Sequence, residues 1–208
     1  MSSIRSITNN SDNPVLRHNL RFQVFKVKPL SSLSYMHLAM FSKPVCERAV
    51  YRLIRKHKFR SFIEIGLDDG NRCQNMIRIA KKYGCSPNVR YTGVDEFDAR
   101  PDGQIQLSLI DMHRKLKATE TKTQLVPGDV QSAIKRIANS HVRTDLIVIS
   151  YGFDQTELSE SWFYFPRMLH SSSLVLIQQE PGAEFQQLNR LEIEKLAGQH
   201  QPRRSIAA

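Results

Sequence analysis

A chain of 208 residues with 40% apolar content can bury one substantial core, and single domains of this size are ordinary. No run approaches the ~18 uninterrupted apolar residues of a membrane span, and the N-terminus lacks the short apolar stretch of a secretory signal, so a cytoplasmic location is expected. The whole net charge of +10 sits in residues 1–60, where Lys and Arg outnumber acids by twelve to two; the remainder carries eighteen of each sign. Such a basic segment suits nucleic acid, an anionic membrane surface or an acidic partner, or else forms a solvated arm. It contains no Cys/His finger. Cys46, Cys73 and Cys85 are odd in number and widely spaced, which argues for packing roles rather than a disulfide framework or a zinc site.

In chain order, residues 1–20 are polar and "TNNSDNP" reads as weakly ordered. "RFQVFKVKPL" alternates like an exposed strand until Pro29, and "SYMHLAM" either packs on the main domain or lies on a surface. "KPVCERAVYRLIRKHK" places Val45, Ala49, Val50, Leu53 and Ile54 at helical spacing with basic residues opposite, an amphipathic helix. From there strands and helices alternate: "SFIEIG", the helix "GNRCQNMIRIAKKYG", "VRYTGVD", a helix over "LSLIDMHRKLKAT", "KTQLVPGD", the helix "VQSAIKRIAN", "TDLIVIS", a helix or bend over "ESWFYFPRMLH", and "SSLVLIQQE". "EFQQLNRLEIEKLAG" reads as a closing helix. Short apolar strands alternating with amphipathic helices predict an α/β fold, a Rossmann-like, doubly wound, mostly parallel sheet with helices on both faces. The expected organisation is a basic extension over residues 1–42 and one domain over 43–208.

In such sheets ligands bind at the carboxyl ends of the strands. The first strand ends in Glu64-x-Gly66-x-x-x-Gly70, the second in Asp95-Glu96, the third in Gly128-Asp129 and the fourth in Ser150-Tyr151-Gly152. Glycines permit close backbone approach, and an acid closing the second strand can accept hydrogen bonds from both ribose hydroxyls. A carboxylate inside an apolar strand is costly unless something receives it, so Glu64 is a candidate ligand contact, with capping of its own loop as the alternative. A pyrophosphate is disfavoured, because Asp68 and Asp69 stand where the dinucleotide fingerprint places phosphate.

At these positions the chain resembles the class I S-adenosylmethionine-dependent methyltransferases. Glu64, Gly66 and Gly70 match the family's acid-and-glycine first motif, with Asp68 in place of the middle glycine. "YTGVDEF" matches the acid closing the second strand, and "LVPGDV" matches the Gly-Asp pair after the third. The resemblance runs from about Phe59 to Glu180. It implies S-adenosyl-L-methionine as cofactor, held by Glu64, Gly66, Leu67, Asp68, Gly70, Asp95, Glu96, Gly128, Asp129, Val130 and Ser150. Where metal-dependent O-methyltransferases of this family carry a metal-binding Asp, this chain has Ser150, so metal-independent transfer to an unidentified acceptor is implied. "LHSSS" replaces the family's usual glycine turn, and the usual terminal antiparallel strands are not evident after Glu180.

Methyl transfer needs in-line positioning and a destination for a proton. Tyr151 and Asp154, just past the fourth strand, are the candidate catalytic pair, Tyr151 orienting the acceptor and Asp154 taking the proton; a polar loop with an aromatic wedge is the plainer alternative. Asp129 also suits a helix N-cap. Trp162 and Phe163 read first as core. Two other functions fit the same sequence: a non-catalytic methyltransferase-fold binding module acting through its basic segment, and, disfavoured by Asp68 and Asp69, a nicotinamide-dependent oxidoreductase.

Overall fold

The computed structural model describes residues 29–84, 88–153 and 155–199. The expected strand, residues 21–28 before Pro29, most of the basic extension, Cys85 and Asp154 lie outside them.

Five strands run parallel: β1 (Ser61–Ile65), β2 (Arg90–Asp95), β3 (Lys122–Pro127), β4 (Thr144–Ile149) and β5 (Leu169–Ile177). With the short β6 (Gln186–Leu188), antiparallel to β5, they form one six-stranded sheet ordered β3-β2-β1-β4-β5-β6. Every residue of the central β1 is buried, the pattern of a strand covered on both faces, whereas β3 at the edge alternates with exposed positions. Each strand's side chains divide between two cores. Phe62, Tyr91, Leu146, Val148 and Leu176 face α1 (Ser32–Phe41), α2 (Glu47–His57), α3 (Asn71–Tyr83) and α4 (Leu109–Lys117). Ile63, Ile65, Val94, Ile147, Ile149 and Val175 face α5 (Val130–Ile137), α6 (Gln155–Trp162), α7 (Phe165–Met168) and α8 (Arg190–Gln199).

Local chemistry sets the helix ends. Gly70, at φ +70°, turns the chain into α3; a Cβ there would overlap the sulfur of Met112, so the glycine serves helix packing. The Asp129 carboxylate accepts the Ser132 N–H at 2.9 Å and caps α5. Lys58, at φ +55°, ends α2 in the left-handed conformation. One segment differs from the sequence expectation. Residues 184–198, read as one helix, divide into β6 and α8, because three residues of strand are too few to show an alternation. Residues 30–41, assigned to the extension, contribute Leu30, Tyr35 and Ala39 to the first core.

Glu47 sits in the first turn of α2, only 7% exposed, and its carboxylate accepts the Tyr51 hydroxyl at 2.6 Å. Burial pushes this carboxyl from 4.5 up to about 7, with Glu64 and Asp69 adding repulsion and the Tyr51 bond and Arg72 opposing it. A carboxyl raised on folding stabilises the fold below the ordinary glutamate range, and that contribution is lost as pH rises through about 7. Glu47→Gln keeps an acceptor for Tyr51 and removes the charge. Urea denaturation at pH 5 and pH 8 is expected to show wild type losing on the order of 2 kcal/mol relative to Glu47→Gln over that interval; parallel behaviour of the two proteins would contradict it.

Candidate functional site

The sheet order turns back on itself between β1 and β4, where connections depart to opposite faces and an open α/β sheet leaves a crevice at its carboxyl ends. Two cavities of about 240 and 340 Å³ open at the carboxyl ends of β1–β4 and share Asp95, Glu96, Phe153 and Glu157 as lining. Val94, Gly128, Asp129, Val130 and Gln131 complete the smaller one. The larger is bounded by Gly66, Asp68, Arg100, Ser150, Tyr151 and the 101–105 loop. Five carboxylates, Asp68, Asp95, Glu96, Asp129 and Glu157, line this pair of cavities against a single cation among the described lining residues, Arg100. The crevice is acidic in a chain of net charge +10.

Glu64 does not reach it. The residue is fully buried on the α3 face of β1, where Arg72 Nε donates to Oε1 at 2.7 Å and the Tyr91 hydroxyl to Oε2 at 2.6 Å. Arg72 Nη2 also donates to the Gly66 carbonyl at 2.9 Å and to Ser150 Oγ at 2.5 Å, while Nη1 meets Asp68 at 3.3 Å. Ser150 Oγ in turn donates to the Gly66 carbonyl at 2.6 Å. Burial pushes the Glu64 carboxyl up against the pull of Arg72 and Tyr91. For Arg72, burial opposes the charge, but Glu64, Asp68 and Glu47 outweigh it and raise the guanidinium.

Asp95 lines both cavities with its hydrogen-bonding capacity turned inward. It accepts the Leu67 and Phe97 N–H groups, each at 2.8 Å, and Arg100 through Nε at 2.7 Å and Nη2 at 2.6 Å. The fork is bidentate, the strong form of such a pair. Arg100 Nη1 continues to the carbonyls of Asp68 and Ile105, joining the loops after β1 and β2. These loops hold Asp68 and Phe97 at φ +49° and +52°, a conformation that aspartate adopts more readily than most residues and phenylalanine does not, and the Asp95 bond to the Phe97 N–H and the Arg100 bond to the Asp68 carbonyl fix them in place.

Of the residues expected at a cofactor, the crevice gathers Gly66, Asp68, Asp95, Glu96, Gly128, Asp129, Val130 and Ser150, while Glu64, Leu67 and Gly70 lie behind its wall. Glu96 is exposed, and Asp129 carries its capping bond at the rim, where the Ser132 N–H and hydroxyl hold its carboxyl below the ordinary value. Gly66, at φ +78°, is overlain by Phe153: a Cβ on the glycine would come within 2.9 Å of that ring and 3.0 Å of the Ser150 Cβ. Tyr151 is exposed at the mouth. Among the described residues, no group of three or more His, Cys, Asp and Glu is placed to hold a metal ion.

Sequence reasoning missed Arg72, Arg100, Phe153 and Glu157. Arg72 had a signal, standing four residues before Met76 on the apolar stripe of α3 that faces Glu64. Arg100 lies in an irregular polar loop that shows no periodicity.

No family model matches the chain, and no curated protein matches it. Among solved structures it is similar to a TDP-rhamnose 3'-O-methyltransferase of calicheamicin biosynthesis at 18% identity, covering 72% of this chain and 65% of the other, with TM-score 0.45. It is similar to the O-methyltransferase TomG from Streptomyces achromogenes, in complex with SAM, at 13% identity, over 75% and 67% of the two chains, with TM-score 0.44. A putative caffeoyl-CoA O-methyltransferase from Staphylococcus aureus is similar at 15% identity, over 80% and 84%, with TM-score 0.48. The chain thus spans just under two thirds of the first of these proteins, and the likeness concerns the fold.

Breaking a buried ion pair on one side leaves an uncompensated charge, whereas an exposed pair contributes little. Arg72→Ala is therefore expected to destabilise the protein by about 3–5 kcal/mol in urea denaturation. The control Arg114→Ala, whose partner Asp111 is exposed like itself, is expected to change stability by less than about 1 kcal/mol. Similar small effects at both sites would show that the Glu64–Arg72 pair is not structural.

Proposed function

We propose that the chain binds S-adenosyl-L-methionine in this crevice and transfers its methyl group, without a metal, to an acceptor entering past Tyr151. The acidity of the crevice carries the reading. S-adenosylmethionine is net positive through its sulfonium and ammonium, which the lining carboxylates favour: Asp95 is paired with Arg100 and Asp68 meets Arg72, and Glu96, Asp129 and Glu157 add further negative charge. The same charge balance disfavours a pyrophosphate dinucleotide. Val94, Val130 and Phe153 supply apolar contact for an adenine, Glu96 a free rim carboxylate for ribose hydroxyls, and Asp68 a negative charge in the larger cavity beside Gly66. Bound there, the cofactor supplies an electrophilic methyl group. The chain's own contribution is placement: Tyr151 and Glu157 at the cavity wall orient the acceptor, and the carboxylates receive its proton. Asp154, next to Phe153 in sequence, remains a proposed base.

A non-catalytic binder is the second reading. It is favoured by the inward-turned bonds of Asp95 and by the ring of Phe153 over Gly66. It keeps the nucleoside pocket or only its scaffold, without turnover, and acts through its basic N-terminal segment.

Calorimetric titration with S-adenosylmethionine, S-adenosylhomocysteine and NAD tests both. Binding of the first two and not of NAD is expected. Glu96→Ala is expected to weaken that binding tenfold or more at unchanged melting temperature, since an exposed side chain holds nothing in the fold. Asp95→Ala is expected to lower the melting temperature as well, because it strips Arg100. Absence of binding, or equal binding of NAD, would overturn the cofactor assignment; binding with no transfer to any acceptor would select the second reading.

A further inference from the structure

Helix α1 is apolar on both sides and carries no charged residue. Tyr35 and Ala39 face inward, with Tyr35 packed edge-on to Tyr83 at 4.9 Å. On the opposite side Leu33 is 77% and Phe41 64% exposed, and Met36, Met40 and, just beyond the helix, Val45 are each more than half exposed. Positions 33, 36, 37, 40 and 41 form one helical stripe, interrupted in polarity only by His37. A helix with apolar side chains on two opposite faces is expected to be covered on both.

Beside this stripe runs a cationic one. Arg48, Arg52, Arg55 and Lys56 share a face of α2. Three of them are anchored along α1: Arg48 Nε on the Ser42 carbonyl at 2.8 Å, Arg52 Nη1 on the Ala39 carbonyl at 3.2 Å, and Arg55 over the Tyr35 ring at 4.7 Å. Lys82 from α3 reaches Ser32 at the other end of the helix at 3.0 Å. The only acid in α1 and α2 is Glu47, which is buried against Tyr51.

We infer that α1 and the basic face of α2 form a docking surface for an anionic lipid bilayer, on which α1 lies with Leu33, Met36, Met40 and Phe41 in the headgroup–acyl boundary. An aliphatic stripe rimmed by arginine and lysine has the chemistry of an interfacial helix, in which apolar burial and attraction to acidic headgroups add. Among the described residues no helix is long and apolar enough to cross a membrane, so the protein would lie on the surface. Pairing of α1 with a second copy would bring two cationic rims together. A nucleic acid would use the cations and leave the leucine and methionines wet. The surface is independent of the crevice assignment.

Flotation of the full chain with vesicles of phosphatidylcholine alone, and of equal parts phosphatidylcholine and phosphatidylserine, tests it. Retention on the phosphatidylserine vesicles is expected, at least tenfold weaker on phosphatidylcholine and weakened by salt. The double variant Met36→Glu with Phe41→Glu is expected to abolish retention with an unchanged circular dichroism spectrum, and Lys56→Glu combined with Lys43→Glu, an exposed lysine two residues past the end of α1, to reduce it several-fold. No retention on anionic vesicles overturns the inference, as does retention indifferent to the α1 variant. A concentration-dependent dimer in sedimentation that the α1 variant dissolves would assign the face to a second copy, and displacement from vesicles by RNA with the α1 variant silent would assign the charge to nucleic acid.

Discussion

The buried pair between Glu64 and Arg72 is the constraint on which the sheet's working end depends. A carboxylate in the middle strand of a fully covered sheet has no water to solvate it, and burial alone pushes it toward its neutral form. Arg72 is positioned by α3, the helix that follows β1, so the same chain segment supplies both the charge and its partner. The guanidinium then reaches beyond the acid to the Gly66 carbonyl and the Ser150 hydroxyl, and Tyr91 completes the acid from β2. One network thereby sets β1, β2, β4 and α3 in register at the point where the sheet opens. Such a pair gains little net free energy over a hydrophobic substitute; what it supplies here is a fixed geometry for the floor of the crevice.

Asp95 and Arg100 repeat the arrangement one strand over, nearer solvent. The two pairs leave different kinds of acid in the crevice. Asp95, whose bonds go inward, shapes the wall. Glu96 is exposed at the cavity wall, and Asp129 combines capping with a place on the rim. Charge is therefore sorted by position: paired where it builds, available where it lines, while cations collect on α2, alongside α1 and outside the cavities. The formal +10 conceals this separation, since an acidic crevice and a basic face coexist in one small domain and each attracts ligands that the other repels.

Much of the sheet was legible in the sequence because buried parallel strands are short apolar runs bounded by turn residues, and "SFIEI" and "TDLIVI" have that form. The site was legible only as a set of strand ends. Position 95 was legible as an acid closing β2, but its bonds depend on Arg100, in a loop whose path no periodicity encodes. Glu64 was expected to contact a ligand or to cap its own loop; that it pairs with an arginine eight residues later follows from α3 packing back on β1, visible in principle from Arg72 standing on an apolar stripe. β6 was hidden because Gln186–Leu188 offers no alternation against the helix pattern that follows. The expectation that "SYMHLAM" would either pack or face solvent was right on both counts, since α1 does one on each side.

The crevice has a rigid wall and a softer one. Its inner side is built from strand ends held by the two arginine pairs, and a ligand meeting Val94, Glu96, Gly128 and Val130 encounters groups whose positions are set by the sheet. Its outer side consists of Phe153, the exposed Tyr151 and the 101–105 loop, joined to the rest through Arg100 Nη1 on two carbonyls and through aromatic contact with Gly66. Displacing Phe153 from Gly66 breaks no hydrogen bond of the inner network, so the close approach that the glycine permits can be exchanged between the protein's own ring and a ligand without disturbing β1. Substitution at Tyr151 or Phe153 leaves both arginine pairs intact, whereas Asp95, in the inner wall, cannot change without unpairing Arg100.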